Sequence, residues 1–253
     1  MLVLGPVLTL FYAIRAYVAA GEAGDRGHCG CDRLTRRWVH LVLRIAGVRV
    51  RLDGSEGVDW SEPSVVVANH QSWFDVFALI GALPGHTRFV AKEELGRIPV
   101  FGPAWRRCGH VSVNRSDRTK AVESLERASR KVREDKLTLV LFPEGTRSPD
   151  GRLQAFKKGA FVLAITAGVP IVPLGIAGSR HVMPKGSFRI RPGEIRIRVG
   201  TPIPVEGLDH AHRNALLSRS RAAVVALMEE PDGLAGGAGT DASGVPTTDA
   251  EEK

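Results

Sequence analysis

Cysteine is scarce in this 253-residue sequence, with three copies in all. Cys29 and Cys31 lie too close together to bridge easily, and Cys108 stands alone. That pattern argues against a disulfide framework and fits a reducing, cytosolic setting. His28-Cys29-Gly30-Cys31 lacks a second Cys/His pair at zinc-like spacing, so it reads as a polar connector and no metal is expected. Aromatic residues make up 6% of the chain and only two are tyrosines. With no aromatic-studded strand face and no groove-binding motif, a nucleic-acid module is disfavoured. Internal repeats are absent too. What is present, 43% apolar and 25% charged residues, suffices for a sizeable core and excludes wholesale disorder or a multi-span membrane protein.

The charge is unevenly spread. Residues 231–253 carry −4 of a net +8, which leaves +12 on residues 1–230. A body that basic favours anionic partners, among them phosphorylated ligands and acidic lipid surfaces. The Gly/Ala/Thr/Asp-rich tail from Pro231 buries too little apolar area to fold and is expected to be disordered. At the other end, Met1–Ile14 is almost wholly apolar, Arg15 interrupts, and Ala16–Ala20 resumes. A helix over these residues rises about 30 Å, roughly the hydrocarbon thickness. It lacks the basic stretch that precedes a cleaved signal's apolar core. A span, an interfacial helix and a buried core helix all remain open. Next, Arg36, Arg37, His40 and Arg44 share one helical face, with Trp38, Leu41, Val42 and Ile45 on the other. This reads as a helix seated on anionic lipid, or as an ordinary helix capping the domain.

Strand and helix patterns then alternate. Strands are expected at Val48–Leu52, Val65–Ala68, Val111–Val113, Leu137–Phe142 and Ile171–Ile176. A hairpin is expected from Phe188–Arg191 and Ile195–Val199 around Pro192-Gly193. Helices are expected at Val76–Leu83, Thr119–Glu134, Gly159–Ala167 and Leu208–Met228, with a broken helix over Lys92–Arg107. The order implies an α/β domain with a mixed sheet flanked by helices, behind an N-terminal membrane-associating helical segment. The boundaries are 1–46 for that segment, 47–230 for the domain and 231–253 for the tail.

Two stretches carry chemistry. Asn69-His70-Gln71-Ser72-Trp73-Phe74-Asp75 runs from a buried strand into a helix. His70 then lies on a turn at the sheet's edge, where an imidazole serves as a general base. Asp75, one turn into the helix, can fold back to fix its tautomer, although Ser72-x-x-Asp75 is also a capping box. Phe142-Pro143-Glu144-Gly145-Thr146-Arg147-Ser148 directly follows another buried strand.

Together these stretches resemble the first and third blocks of the glycerolipid acyltransferase family, most closely its 1-acyl-glycerol-3-phosphate acyltransferases. The second block is similar to Gly109–Arg115, preceded by Lys92-x-Glu94-Leu95, and the fourth to Ile171-Val172-Pro173-Leu174. All four occur in order over about Val48–Val205. One departure stands out: the second block's usual aliphatic-aromatic-aliphatic centre reads His110-Val111-Ser112-Val113 here. The resemblance implies transfer of a fatty acyl group from acyl-CoA or acyl-carrier protein to the sn-2 hydroxyl of lysophosphatidic acid, giving phosphatidic acid. It implies His70 and Asp75 as the catalytic pair, with no covalent enzyme intermediate, so Cys108 is not needed as a nucleophile. Arg115 and Arg147 would hold the acceptor phosphate, Glu144, Gly145 and Thr146 would shape its pocket, and Lys92 is a candidate for a further phosphate contact. No cofactor is implied, and the place would be the cytoplasmic face of the cell membrane. Another lysolipid or polar-lipid acceptor, or a membrane phospholipid-binding protein without turnover, is the alternative.

Overall fold

The computed structural model describes residues 4–22, 28–113 and 118–229. Strands β1 (Val48–Asp53), β2 (Ser64–Ala68), β3 (Thr87–Lys92), β4 (Val111–Val113), β5 (Thr138–Leu141), β6 (Ile171–Ala177) and β7 (Gly193–Val199) form one sheet in the order β1-β7-β6-β2-β5-β3-β4. Neighbours are parallel except β6 and β7, so β1 and β7 run against the other five. The two central strands, β2 and β5, are buried at every position, which is why they read as unbroken apolar runs.

Strand alternation builds two cores. Val66 and Ala68 of β2 face a layer that includes helix α2 (His28–Ile45) and helix α3 (Trp73–Ala82), through Val39, Leu43, Ala78 and Leu79. Val65 and Val67 face the other layer, built on α5 (Arg118–Glu134), α6 (Gly159–Ala167) and α8 (Arg213–Glu229), through Val132, Phe161, Leu163 and Val224. The fold therefore accords with the expected mixed α/β sheet flanked by helices. Past their carboxyl ends β2 and β5 lead to α3 and α6 on opposite layers, the topological position at which open α/β sheets place ligands.

Three expectations need correction. Phe188–Arg191 forms no strand and no hairpin, and β7 pairs instead with β6 and β1. The alternation of Phe188 and Ile190 with arginines mimics a strand, yet no neighbouring strand meets it. Strand β3 fell within no expected strand, because the buried Arg88 interrupts its apolar run. Finally, Cys108 does not stand alone. It is joined in a disulfide to Cys31, 77 positions away, with Cα atoms 5.7 Å apart. The bond fastens the start of α2 to the residue that caps α4 (Phe101–Arg107), and it removes the support that unpaired thiols gave to a reducing setting.

At the N-terminus, α1 (Leu4–Glu22) packs on α2 and α4. Among the described residues, no helix is long and apolar enough to cross a membrane. Nor is α1 a buried core helix: Leu10, Phe11, Ile14, Tyr17 and Val18 are 41–52% exposed. On α2 the inward face is Val39 and Leu43, followed by the buried Ala46 just past its end, with Trp38 edge-on to Phe77, so this helix caps the domain. The acidic tail lies outside the described residues.

Candidate active site

The site is assembled where β2 and β5 end. Past Ala68 the chain turns, and Ser72 caps α3: its side chain accepts from Phe74 N at 3.1 Å. Asp75 completes the capping box and does more than cap. Its Oδ2 accepts from Gln71 N at 2.7 Å and Ser72 N at 2.8 Å, and lies 2.8 Å from His70 Nδ1. The carboxylate is fully buried, whereas the imidazole remains 13% exposed. An Nδ1–H donated to Asp75 leaves the Nε2 lone pair free to take a proton. Capping and orienting are thus one arrangement, because the backbone donors that start the helix also aim the carboxylate.

The two blocks are stitched together around His70. Glu144 Oε1 accepts from His70 N at 2.6 Å and its Oε2 from Gln154 N at 2.9 Å. Ser148 N donates to His70 O at 2.7 Å, and the Phe142 ring stacks on the imidazole at 4.0 Å. Glu144 is therefore a buried brace for the His70 turn, with both oxygens committed to backbone. Burial pushes its carboxyl above the usual range, against the opposing pull of those two hydrogen bonds. Asn69 holds the opposite side, bonding both N and O of Ile176 on β6.

Arg147 supplies the positive charge. Its guanidinium carbon lies 5.0 Å over the Trp73 ring, and its N–H groups donate to no protein acceptor among the described residues. Partial burial lowers its pKa while the charge of Asp75 opposes that shift. Gly145 takes φ 75°, the left-handed region that favours glycine, while a Cβ there would meet only the movable end of the Lys157 side chain. Thr146 is exposed beside it. Lys92 ends β3, but its side chain, like the whole of Arg115, falls outside the described residues. The fourth block lies in β6, where its residues are buried.

The departure in the second block has a packing explanation. His110 stacks on Trp105 at 3.9 Å, and its Nδ1 accepts from Phe89 N at 3.1 Å. Sequence reasoning missed Lys185, whose Nζ donates to Arg147 O at 2.8 Å and Thr146 Oγ1 at 3.3 Å. No spacing signals it, since 38 positions separate it from Arg147. Among the described residues no three His, Cys, Asp or Glu side chains are grouped to hold a metal ion.

The Acyltransferase family model matches residues 49–177, which include both stitched blocks. The chain belongs to the Acyltransferase family. Among similar members is the 1-acyl-sn-glycerol-3-phosphate acyltransferase of Limnanthes douglasii, 37% identical over 64% of this chain and 57% of the relative. The 1-acyl-sn-glycerol-3-phosphate acyltransferase alpha of Homo sapiens is 34% identical over 81% of this chain and 73% of the relative. The chain thus spans little more than half the length of the plant acyltransferase. A crystal structure of the 1-acyl-sn-glycerophosphate (LPA) acyltransferase PlsC from Thermotoga maritima superposes with a TM-score of 0.70. It shares 27% identity and covers 89% of this chain and 97% of its own. These names agree with the family resemblance carried by the four blocks.

Proposed function

We propose that this chain transfers a fatty acyl group from an acyl-CoA or acyl-carrier-protein thioester to the sn-2 hydroxyl of 1-acyl-glycerol-3-phosphate. The observation that carries the reading is His70 Nδ1 held 2.8 Å from a buried carboxylate, with the Arg147 guanidinium over Trp73 of the same turn and bonded to no protein acceptor among the described residues. The acceptor hydroxyl attacks the thioester carbon as Nε2 takes its proton. The tetrahedral intermediate then collapses, the C–S bond breaks, and the imidazolium returns the proton to the departing thiolate. Asp75 stabilises that imidazolium throughout. Substrate oxygen attacks directly, so no enzyme nucleophile and no covalent enzyme intermediate is needed. Arg147, with Arg115 and Lys92 by family resemblance, meets the acceptor phosphate through charge-assisted hydrogen bonds.

The enzyme works at the cytoplasmic face of the membrane in this reading. The exposed Leu10, Phe11, Ile14, Tyr17 and Val18 recur at helical spacing along α1, with Arg15 among them, which suits an interfacial helix. The +12 body suits an anionic leaflet. Purified protein, radiolabelled donor on either carrier and a panel of lysolipids test the function. Label must appear in phosphatidic acid; label in another lipid product would favour a different acceptor, and no product at all would favour a phospholipid-binding protein. Deleting residues 2–20 should release protein from membranes and impair use of bilayer-embedded acceptor more than detergent-dispersed acceptor.

A further inference from the structure

The segment from Met183 to Pro192, between α7 (Ser179–Val182) and β7, has no part in the family's four blocks, yet it is tied to two of them. Ser72 Oγ, in the His70 turn, donates to Met183 O at 2.7 Å. Lys185 Nζ donates to the Arg147 carbonyl and the Thr146 hydroxyl of the other stretch. The segment is also braced on itself. Arg191 N donates to Val182 O at 2.9 Å, Ser187 N to Pro184 O at 3.1 Å, and Arg189 N to Ser187 Oγ at 3.0 Å. At the tip of this braced loop, Phe188 is 87% exposed, more than any other large apolar side chain exposed among the described residues. Lys185, Arg189 and Arg191 are exposed around it. No side-chain ion pair engages Arg189 or Arg191 among the described residues.

A braced loop that holds an aromatic ring in water among cations matches the chemistry of a bilayer boundary. There the ring meets acyl chains while the cations meet phosphates. We propose that this loop is a membrane-contact element separate from α1: Phe188 enters an anionic bilayer, and Lys185, Arg189 and Arg191 engage its headgroups. The inference rests on the lipid-acceptor reading for the choice of partner. What it adds is that the lip carrying Arg147 is pressed onto the surface that supplies the acceptor, so a lysolipid reaches the phosphate contact with little passage through water.

The test uses the full chain with vesicles of anionic phospholipid bearing brominated acyl chains. Phe188→Trp should show brominated-lipid quenching and a blue shift beyond those of the wild-type protein, which has Trp38, Trp60, Trp73 and Trp105. Protein that sediments with the vesicles without any extra quenching overturns the proposal. Arg189→Ser should weaken binding to anionic vesicles about fivefold, the value of roughly 1 kcal/mol for one basic residue near such a surface. Binding unchanged by that substitution removes the cations from the contact. Phe188→Ser should lower turnover on vesicle-embedded acceptor several-fold and leave a short-chain, water-soluble acceptor unaffected. Equal loss on both acceptors makes the loop merely structural and overturns the proposal. Quenching needs no turnover, so an inactive protein defeats the acyl-transfer reading while the lipid contact is judged separately.

Discussion

Two histidines in this fold begin from the same arrangement and end with opposite properties. His70 stacks on Phe142 at 4.0 Å and His110 on Trp105 at 3.9 Å, and in each ring Nδ1 is engaged by a protein partner. The partners differ. His70 faces the buried Asp75 carboxylate at 2.8 Å, whereas His110 accepts the Phe89 backbone N–H at 3.1 Å. An N–H donor requires a lone pair on Nδ1 and so disfavours a doubly protonated ring. Burial, with the Arg88 guanidinium nearby, pushes the His110 pKa well below its ordinary value. In the proposed mechanism the first imidazole accepts a proton from the acceptor, while the second is set to stay neutral and fill space. Stacking is common to both rings; what separates them is the partner at Nδ1, a carboxylate for His70 and a backbone N–H for His110.

The comparison can be broken most severely at His70. His70→Ala should reduce transfer by about 10²–10⁴-fold with the melting temperature little changed, while His110→Phe should keep turnover within a few-fold. Comparable losses in both variants would erase the distinction. Asp75→Asn sharpens it next, because the amide oxygen can still accept from Gln71 and Ser72 while the negative charge is gone. Turnover should fall by at least about 10²-fold in a protein that still folds; a loss confined to stability would reduce Asp75 to a cap. Arg147→Ala should cost the acceptor's kcat/KM roughly 10–100-fold, the value of about 1.5–3 kcal/mol for a charge-assisted bond, and spare the donor's. Equal losses toward both substrates would make Arg147 structural.

The smallest effect concerns acid. A histidine whose folded pKa is depressed contributes stability above its unfolded pKa of about 6.5, and that contribution declines as pH falls below it. Relative to His110→Phe, the wild-type protein should therefore lose melting temperature from about pH 7 to about pH 5. A difference that stays flat with pH would show that His110 titrates normally.

What could be read from the sequence was local. The turn from β2 into α3 and the stretch after β5 are each set by a few adjacent residues, so capping, glycine and the His-x4-Asp spacing identified them. Gly159–Ala167 was legible to the residue because it is apolar but for Thr166 and ends at Gly168, whose φ of 63° is the left-handed stop that glycine supplies. Contacts between distant segments were not legible. The Cys31–Cys108 bond and the Lys185 anchor each depend on how far strands separate their ends, which no short spacing encodes. Glu144 was assigned to the pocket by resemblance, and only the geometry reveals it as a brace under the histidine. Arg88 acts in the opposite direction: a charged residue buried in β3 and paired with Asp32 at 2.6 Å leaves this strand without a clear apolar pattern to announce it.

Strand β1 has β7 as its sole neighbour in the sheet, and the register sets Val48 beside Gly193, 145 positions downstream. During synthesis at about 5–20 residues per second, β1 leaves the ribosome roughly 7–30 seconds before that partner exists. The five mutually parallel strands all lie between Ser64 and Ala177 and can pair in the meantime. Through that interval β1 is an unsatisfied sheet edge, and α1 and α2 are held ahead of a catalytic unit still being made. The oldest strand of the sheet is thus the last to be paired.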